Sequence, residues 1–160
     1  MMKTLLVFIL ILFASGDVIC QDITTVNIEG LMKRIQLQDD TVYVVNFWAT
    51  WCRPCIEELP YIEEINKKYM DKKVRVLLVS LDFPEQIKSK LKPFIRKNKL
   101  KSRVIHLDDP NENAWINGVD SSWTGSIPAT MIYKNGNKKL FHEGRITTDQ
   151  ISSVIESSGI

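Results

Sequence analysis

The sequence has few cysteine and histidine residues, little net charge and no internal repeat, low-complexity tract or linker. Its 160 residues include three cysteines and two histidines. The 21 basic and 19 acidic side chains leave a formal charge of +2, which is too small to indicate nucleic-acid binding by electrostatics. With 44% apolar residues and 25% charged residues, the chain fits one compact domain with a substantial core.

The N-terminus has the pattern of an export signal. Lys3 precedes the apolar run at residues 5–14, which is well short of the ~20 residues that cross a bilayer. Cleavage after Gly16 or after Cys20 is compatible with the pattern, and the mature part is then a single domain of residues 21–160. We therefore expect a periplasmic or secreted protein.

Two alternatives for this segment stay open. A lipid-modified Cys20 would attach the protein to a membrane, although the bulky Ile19 stands where lipoprotein signals usually have a small residue. An uncleaved anchor is the other alternative. In either case, Cys52 and Cys55 are the only cysteines of the domain itself.

The pair Cys52 and Cys55 follows an apolar run and precedes a helical pattern. In an oxidising compartment this C-x-x-C arrangement favours a redox dithiol. A zinc site needs about four ligands, and the histidines that could complete one, His106 and His142, are distant in sequence. A purely structural disulfide is the remaining alternative. We expect no metal and no cofactor beyond the cysteine pair.

Local patterns predict the first half of the fold. Residues 41–47 and 74–81 are apolar and β-branched runs typical of buried strands. Apolar residues recur at helical spacing from Cys52 to about Met70, and an earlier helix is predicted over residues 28–36 with Asn27 as its N-cap. This strand, helix and strand predict a right-handed parallel crossover.

The second half has a different pattern. Residues 130–134 and 138–142 flank an Asn-Gly-Asn turn and predict an antiparallel hairpin. A last helix is predicted over residues 148–157, with Thr147 opening a capping box. The fold class is therefore α/β, with one mixed sheet and helices on both faces.

Three stretches carry a family resemblance: NFWATWCRPCIEELP, GSIPATMIYKNG and FHEGR. Together they resemble the exported thioredoxin-like disulfide reductases of the TlpA/ResA type. The resemblance implies a thioredoxin fold, with a β-α insertion at about residues 84–123, before a hairpin that begins with a cis proline.

The chemistry of the pair follows from its position. A cysteine at a helix N-terminus has a lowered pKa because the unpaired N–H groups favour negative charge, so Cys52 is the predicted nucleophile. Arg53 adds a positive charge, and Pro54 suits the first helical turn. Cys55, one turn deeper, is the predicted resolving thiol.

A base is needed to deprotonate the resolving thiol. Cytoplasmic thioredoxins have a buried Asp where this chain has Asn46, which cannot act as a base. In the TlpA/ResA type, a Glu three residues after the second cysteine is thought to take that role, and here it is Glu58. On spacing alone, a solvated helical glutamate is the alternative.

The resemblance also implies a substrate-binding surface. Ile127-Pro128 is expected to be a cis peptide beside the cysteine pair, where the Ile127 backbone pairs with an extended substrate. A proline that merely starts a strand is the alternative. Trp51, with Trp48 and Trp123, is expected to supply apolar surface around the site, unless these side chains belong to the core.

The segment of residues 86–103 contains eight basic residues and no acidic residue. Its apolar positions have helical spacing, so the ordinary interpretation is the solvated face of an amphipathic helix. A docking face for an acidic partner or anionic lipid is the alternative.

The function predicted from the sequence is the reduction of disulfides in exported cysteine-containing proteins by a monomeric enzyme. A membrane thiol electron donor is implied by the compartment and the family. Alternatives are a disulfide oxidant or isomerase that uses the same pair, and a non-catalytic binding module. A peroxidase is disfavoured because no separate cysteine stands in a Thr-x-x-Cys setting.

Overall fold

The computed structural model describes residues 22–160. The predicted export signal, its cleavage positions Gly16 and Cys20, and the lipidation alternative lie outside the described residues. The described residues form six strands, five α-helices and one π-helical turn. In chain order these are β1 (Thr24–Val26), α1 (Ile28–Ile35), β2 (Val42–Trp48), α2 (Arg53–Lys68), β3 (Val74–Ser80), the π-helical turn (Ile87–Leu91), α3 (Lys92–Asn98), β4 (Arg103–Leu107), α4 (Glu112–Val119), β5 (Ala129–Lys134), β6 (Asn137–Glu143) and α5 (Thr148–Ser157).

The strands form one mixed sheet in the order β1-β4-β3-β2-β5-β6. The pairs β1–β4, β4–β3 and β3–β2 are parallel, whereas β2–β5 and β5–β6 are antiparallel. The predicted parallel crossover and the predicted hairpin are both confirmed.

Apolar side chains form a layer on each face of the sheet. Successive strand residues point to opposite faces, so Val42 and Val44 of β2 belong to one layer and Tyr43 and Val45 to the other. Buried side chains of α2, α3 and α5 complete the first layer, and those of α1 and α4 complete the second. The predicted helices on both faces are confirmed.

The helix ends follow the predicted capping chemistry. Asn27 caps α1 by accepting a hydrogen bond from Gly30 N at 2.9 Å. Thr147 and Gln150 form the predicted capping box at the start of α5. These caps satisfy backbone N–H groups that a helix leaves unpaired at its first turn.

The segment of residues 84–123 contains the structure that the sequence predicted least well. It holds the π-helical turn, α3, β4 and α4, and β4 is inserted between β1 and β3. Leu91 and Ile95 are buried, and the eight basic residues of the segment enter no ion pair among residues 22–160. The amphipathic interpretation of the helical part is confirmed, while docking on that face stays a prediction.

The topology brings three strand ends to one edge of the sheet. Because β2, β3 and β4 are parallel, their carboxyl ends lie at the same edge, and β5 begins there because it runs antiparallel to β2. The loops that follow these ends carry Cys52, Asp82 and Asp108. Among the described residues, no helix is both long and apolar enough to span a membrane.

Candidate active site

Cys52 and Cys55 lie where the loop after β2 enters α2, and they form a disulfide with Cα atoms 5.3 Å apart. Cys52 retains 6% of its surface exposed and Cys55 only 1%. A substrate that approaches from solvent therefore reaches Cys52 first.

The first turn of α2 favours negative charge on Cys52. Cys52 is the N-cap residue, and its Sγ accepts a hydrogen bond from Cys55 N at 3.3 Å. Pro54 lies in the same turn and has no backbone N–H that needs a partner. Hydrogen bonding to the charged form, together with the helix dipole, lowers a thiol pKa.

Arg53, which the sequence predicted to place a positive charge near Cys52, forms an ion pair with a surface carboxylate. Its side chain is almost fully exposed, and its Nε donates to Glu57 Oε1 at 3.0 Å. Glu57 also pairs with Arg145. The guanidinium of Arg53 thus pairs with a surface carboxylate. The hydrogen bond that the structure shows to Cys52 Sγ comes instead from the backbone N–H of Cys55.

The loop before β5 lies against the pair. The Ile127-Pro128 peptide is cis, as predicted, and Pro128 is buried immediately before β5. Ile127 O is 3.6 Å from Cys52 Sγ. This carbonyl therefore lies beside Cys52 Sγ, the sulfur at which a mixed disulfide with a substrate would form and break.

The three tryptophans divide between surface and core. Trp51 is 53% exposed beside the pair. Trp48 is buried against Phe94, and Trp123 is buried against Phe47. Of the three, only Trp51 supplies apolar surface at the site. Trp48 and Trp123 belong to the core, which was the alternative interpretation from the sequence.

Glu58 is buried on the core side of α2, with 2% of its surface exposed. Its Oε1 accepts from Asn46 Nδ2 at 2.9 Å, and its Oε2 accepts from Ile146 N at 3.4 Å. Burial raises the pKa of Glu58 to about 7, although these two hydrogen bonds oppose the shift. The solvated-glutamate alternative is wrong.

Asn46 reaches Glu58 because of strand alternation. It points to the same face of β2 as Val44 and Trp48, which is the face that α2 covers. Its Nδ2 also donates to Thr130 Oγ1 at 3.0 Å, across the β2–β5 pair. The side-chain amide of Asn46 thus links β2 and β5 to Glu58 of α2 through hydrogen bonds.

Asp82 is a site residue that the sequence did not single out. It is buried at the end of β3, where its carboxylate accepts from Thr50 N at 3.1 Å and from Ser80 Oγ at 2.8 Å, and also from the Thr50 hydroxyl. Asp82 therefore holds the loop that leads to Cys52. A lone acidic residue directly after a buried strand is the signal that could have identified it.

The surroundings of the pair contain a groove but no grouping of metal ligands among residues 22–160. Within residues 22–160, no three His, Cys, Asp or Glu side chains are grouped so that they could hold a metal ion. An open groove of about 310 Å³ lies beside the pair, and Trp51, Phe83 and Ile127 contribute to its lining.

Comparison with known proteins gives consistent matches. The profile of the AhpC/TSA family matches residues 19–138. The thiol-disulfide oxidoreductase ResA of Oceanobacillus iheyensis is 32% identical over 113 residues, which span 70% of this chain and 54% of that protein. The protein of the same name from Geobacillus thermodenitrificans is 32% identical over 138 residues, which span 85% of this chain and 74% of that protein.

A solved structure shares the fold. The crystal structure of StoA from Bacillus subtilis superposes with a TM-score of 0.59 at 24% identity, covering 72% of this chain and 83% of that chain. At this identity the match establishes the architecture, whereas the sequence matches establish the family.

Proposed function

We propose that this chain, which belongs to the AhpC/TSA family and is a thiol-disulfide oxidoreductase with the thioredoxin fold, reduces disulfides of exported proteins through Cys52 and Cys55. The observation that carries the proposal is the asymmetry of the pair. Cys52 is the more exposed of the two residues, and its Sγ accepts a hydrogen bond from the helix N-terminus, whereas Cys55 is almost fully buried.

The proposed reaction has two exchange steps. In the reduced protein the Cys52 thiolate attacks a substrate disulfide, which forms a mixed disulfide and releases one substrate thiolate. Cys55 then loses its proton and attacks Cys52 Sγ, so that the Cys52–Cys55 disulfide forms and the second substrate thiolate leaves. Two electrons pass to the substrate, and each released thiolate takes up a proton.

Glu58 is the proposed proton acceptor for Cys55. It lies three residues later on α2, and side chains at this spacing share one face of a helix. A carboxyl group with a pKa of about 7 exchanges protons near neutral pH. Glu58→Gln should therefore slow resolution of the mixed disulfide, and unchanged exchange kinetics across the pH range would refute this role.

The surface beside Cys52 fits an extended substrate. Ile127 O lies 3.6 Å from Cys52 Sγ, and Trp51 is exposed next to it. We propose that the Ile127 backbone pairs with the substrate chain, so that a disulfide is presented to Cys52. Arg53 and Pro54 are exposed at the helix start directly after Cys52, and we propose that they complete this surface.

The compartment and the electron source complete the proposal. The signal-like segment at residues 1–20 supports export, and a two-electron thiol donor in the membrane would return the pair to its reduced form. The proposed enzyme acts as a monomer, without nucleic acid, and with membrane attachment only if Cys20 is lipidated.

Order of alkylation tests the assignment of the two thiols. In the reduced protein at neutral pH, iodoacetamide should label Cys52 before Cys55, and Cys55→Ser should accumulate a stable mixed disulfide with client proteins. Cys52→Ser is the matched control and should accumulate none. Preferential labelling of Cys55 would contradict the mechanism.

The direction of electron flow is tested by the reduction potential of the pair, measured against defined thiol buffers by tryptophan fluorescence. A reductant should have a potential near the thioredoxin value of about −270 mV, whereas a value near about −120 mV would indicate an oxidant. A binding module without catalysis would retain partner binding but would show no exchange in either direction.

A further inference from the structure

We infer that the groove beside Cys52 selects substrates by the residues next to their disulfide, and that it favours segments with an apolar side chain and basic residues. This inference rests on the proposed function and names the substrate class of that same site. The groove has a volume of about 310 Å³ and shares Trp51 and Ile127 with the redox site.

The charge of the groove is one-sided. Asp82, Asp108, Asp109 and Glu112 line it, and no lysine, arginine or histidine does. This contrasts with the formal charge of +2 for the whole chain. A positively charged segment is therefore attracted to this surface, and an acidic segment is repelled.

Two of the four carboxylates are available to a ligand. Asp82 already accepts hydrogen bonds from Thr50 and Ser80. Asp109 accepts hydrogen bonds from the backbone N–H groups of Ile28 and Asn111. Asp108 and Glu112 are exposed, and within residues 22–160 their side chains enter no ion pair or hydrogen bond. These two are the carboxylates that can meet a basic residue.

The apolar part of the groove is also available. Trp51 is 53% exposed and Phe83 is 58% exposed. Both lie on loops that leave the carboxyl ends of neighbouring parallel strands, β2 and β3. An apolar side chain that covers these rings would remove their surface from water, which stabilises the complex.

The groove and the reacting sulfur both lie against Ile127. Ile127 lines it, and the carbonyl of the same residue is 3.6 Å from Cys52 Sγ. A segment held between Trp51, Phe83 and the acidic residues would thus place its neighbouring disulfide beside Cys52. The occupant is a cationic, partly apolar stretch of a substrate protein.

The test compares two synthetic peptides, each with one internal disulfide flanked by Leu-Lys-Lys or by Leu-Glu-Glu. Their reduction by the protein, with dithiothreitol as electron source at low ionic strength, gives kcat/KM for each. Bis(2-hydroxyethyl) disulfide serves as a small uncharged substrate. The wild-type protein should prefer the basic peptide by roughly three- to tenfold, as expected for two partly solvated ion pairs.

The double variant Asp108→Asn/Glu112→Gln should reduce this preference towards unity. The matched control is Asp71→Asn/Glu64→Gln, which removes the same charge from exposed positions on and just after α2. The control should keep the wild-type preference, and all three proteins should reduce the uncharged disulfide equally. An unchanged preference in the groove variant, or an equal loss in the control, would overturn the inference.

A second comparison addresses the apolar part. Phe83→Ala should lower kcat/KM for the basic peptide but not for a version with Leu replaced by Gly. Tyr61→Ala is the control, because Tyr61 is a similarly exposed aromatic residue on α2 that does not line the groove. If kcat/KM fell equally in the two variants, or if Phe83→Ala affected the two peptides equally, the claim that the groove binds an apolar side chain of the substrate would be refuted.

Binding separates this inference from the proposed function. Peptides with serine in place of cysteine cannot react, so their affinity for the oxidised protein, measured by calorimetry, reports on the groove alone. If the uncharged disulfide is not reduced but the basic serine peptide binds preferentially, the proposed function fails and the groove assignment stands. If reduction proceeds without any peptide preference, only the groove assignment fails.

Discussion

Asn46 Nδ2 donates a hydrogen bond to Glu58 Oε1 at 2.9 Å, within the layer between the sheet and α2. The same amide donates to Thr130, and Ile146 N donates to the other carboxylate oxygen. Two strands, a helix and the loop before α5 are thus linked by hydrogen bonds around one buried carboxyl group, whose protonation we expect to affect both stability and exchange.

We expect the free energy of unfolding of the oxidised protein to fall as the pH rises from about 5 to 7. Because the pKa of Glu58 is about 7 in the folded state and 4.5 ordinarily, the folded protein keeps a proton that the unfolded chain has released. This contribution is fully present below the unfolded pKa and is lost as the pH rises through the folded pKa. The fall is on the order of 3 kcal/mol.

Urea unfolding at pH 5, 6, 7 and 8 measures this fall. Glu58→Gln should remove the fall, since glutamine does not titrate, and Glu64→Gln on the exposed side of α2 should retain it. The same slope in wild type and Glu58→Gln would show that another group is responsible.

Asn46→Asp should raise the pKa of Glu58 further. The new carboxyl group would replace an amide that lies 2.9 Å from Glu58, and two like charges at this distance do not both ionise readily. The pH midpoint of mixed-disulfide resolution should move upward by at least about one unit. Stopped-flow exchange across pH 5 to 9 checks this.

Asn66→Asp, on the partly exposed side of α2, is the control for the added charge and should leave the midpoint in place. A midpoint that shifts downward in Asn46→Asp would mean that the aspartate, rather than Glu58, accepts the proton.

Asp82→Asn should destabilise the protein and loosen the loop before Cys52. The buried carboxylate accepts from both the backbone and the hydroxyl of Thr50, and hydrogen bonds to a charged group are worth about 1.5–3 kcal/mol. We expect the free energy of unfolding, measured in urea, to fall by an amount of that order. We also expect the pH midpoint of Cys52 alkylation to shift. Asp71→Asn should produce neither, and an unshifted alkylation midpoint in Asp82→Asn would limit Asp82 to a stabilising role.

Thr147→Ala should destabilise the protein by about 1 kcal/mol, because it removes the capping box of α5. The neighbouring Thr148→Ala is the matched control, since Thr148 is the first helical residue rather than the cap. Thermal unfolding should show a lower Tm only for Thr147→Ala. Equal losses in the two variants would assign the effect to something other than the cap.

Local patterns predicted the features whose cause lies within a few neighbouring residues. The helix after Cys52, the hairpin at the Asn-Gly-Asn turn and the capping box at Thr147 all formed as expected, with bounds within about two residues of the prediction. The short strands β1 and β4 lacked such a pattern. They are held by pairing with each other and with β3, and sequence spacing does not encode that pairing.

The sequence by itself determined where the redox pair lies. The C-x-x-C spacing and the helix start are local features, and the unpaired N–H groups of that helix start favour a thiolate at Cys52. The tertiary structure decided how the other candidates are used. It buried Glu58 against Asn46, directed Arg53 to Glu57 and placed Trp48 in the core. It also brought Asp82 and Phe83 beside Trp51, because parallel strands end at one edge. Burial and proximity depend on elements that are distant in sequence, so only the packed fold specifies them.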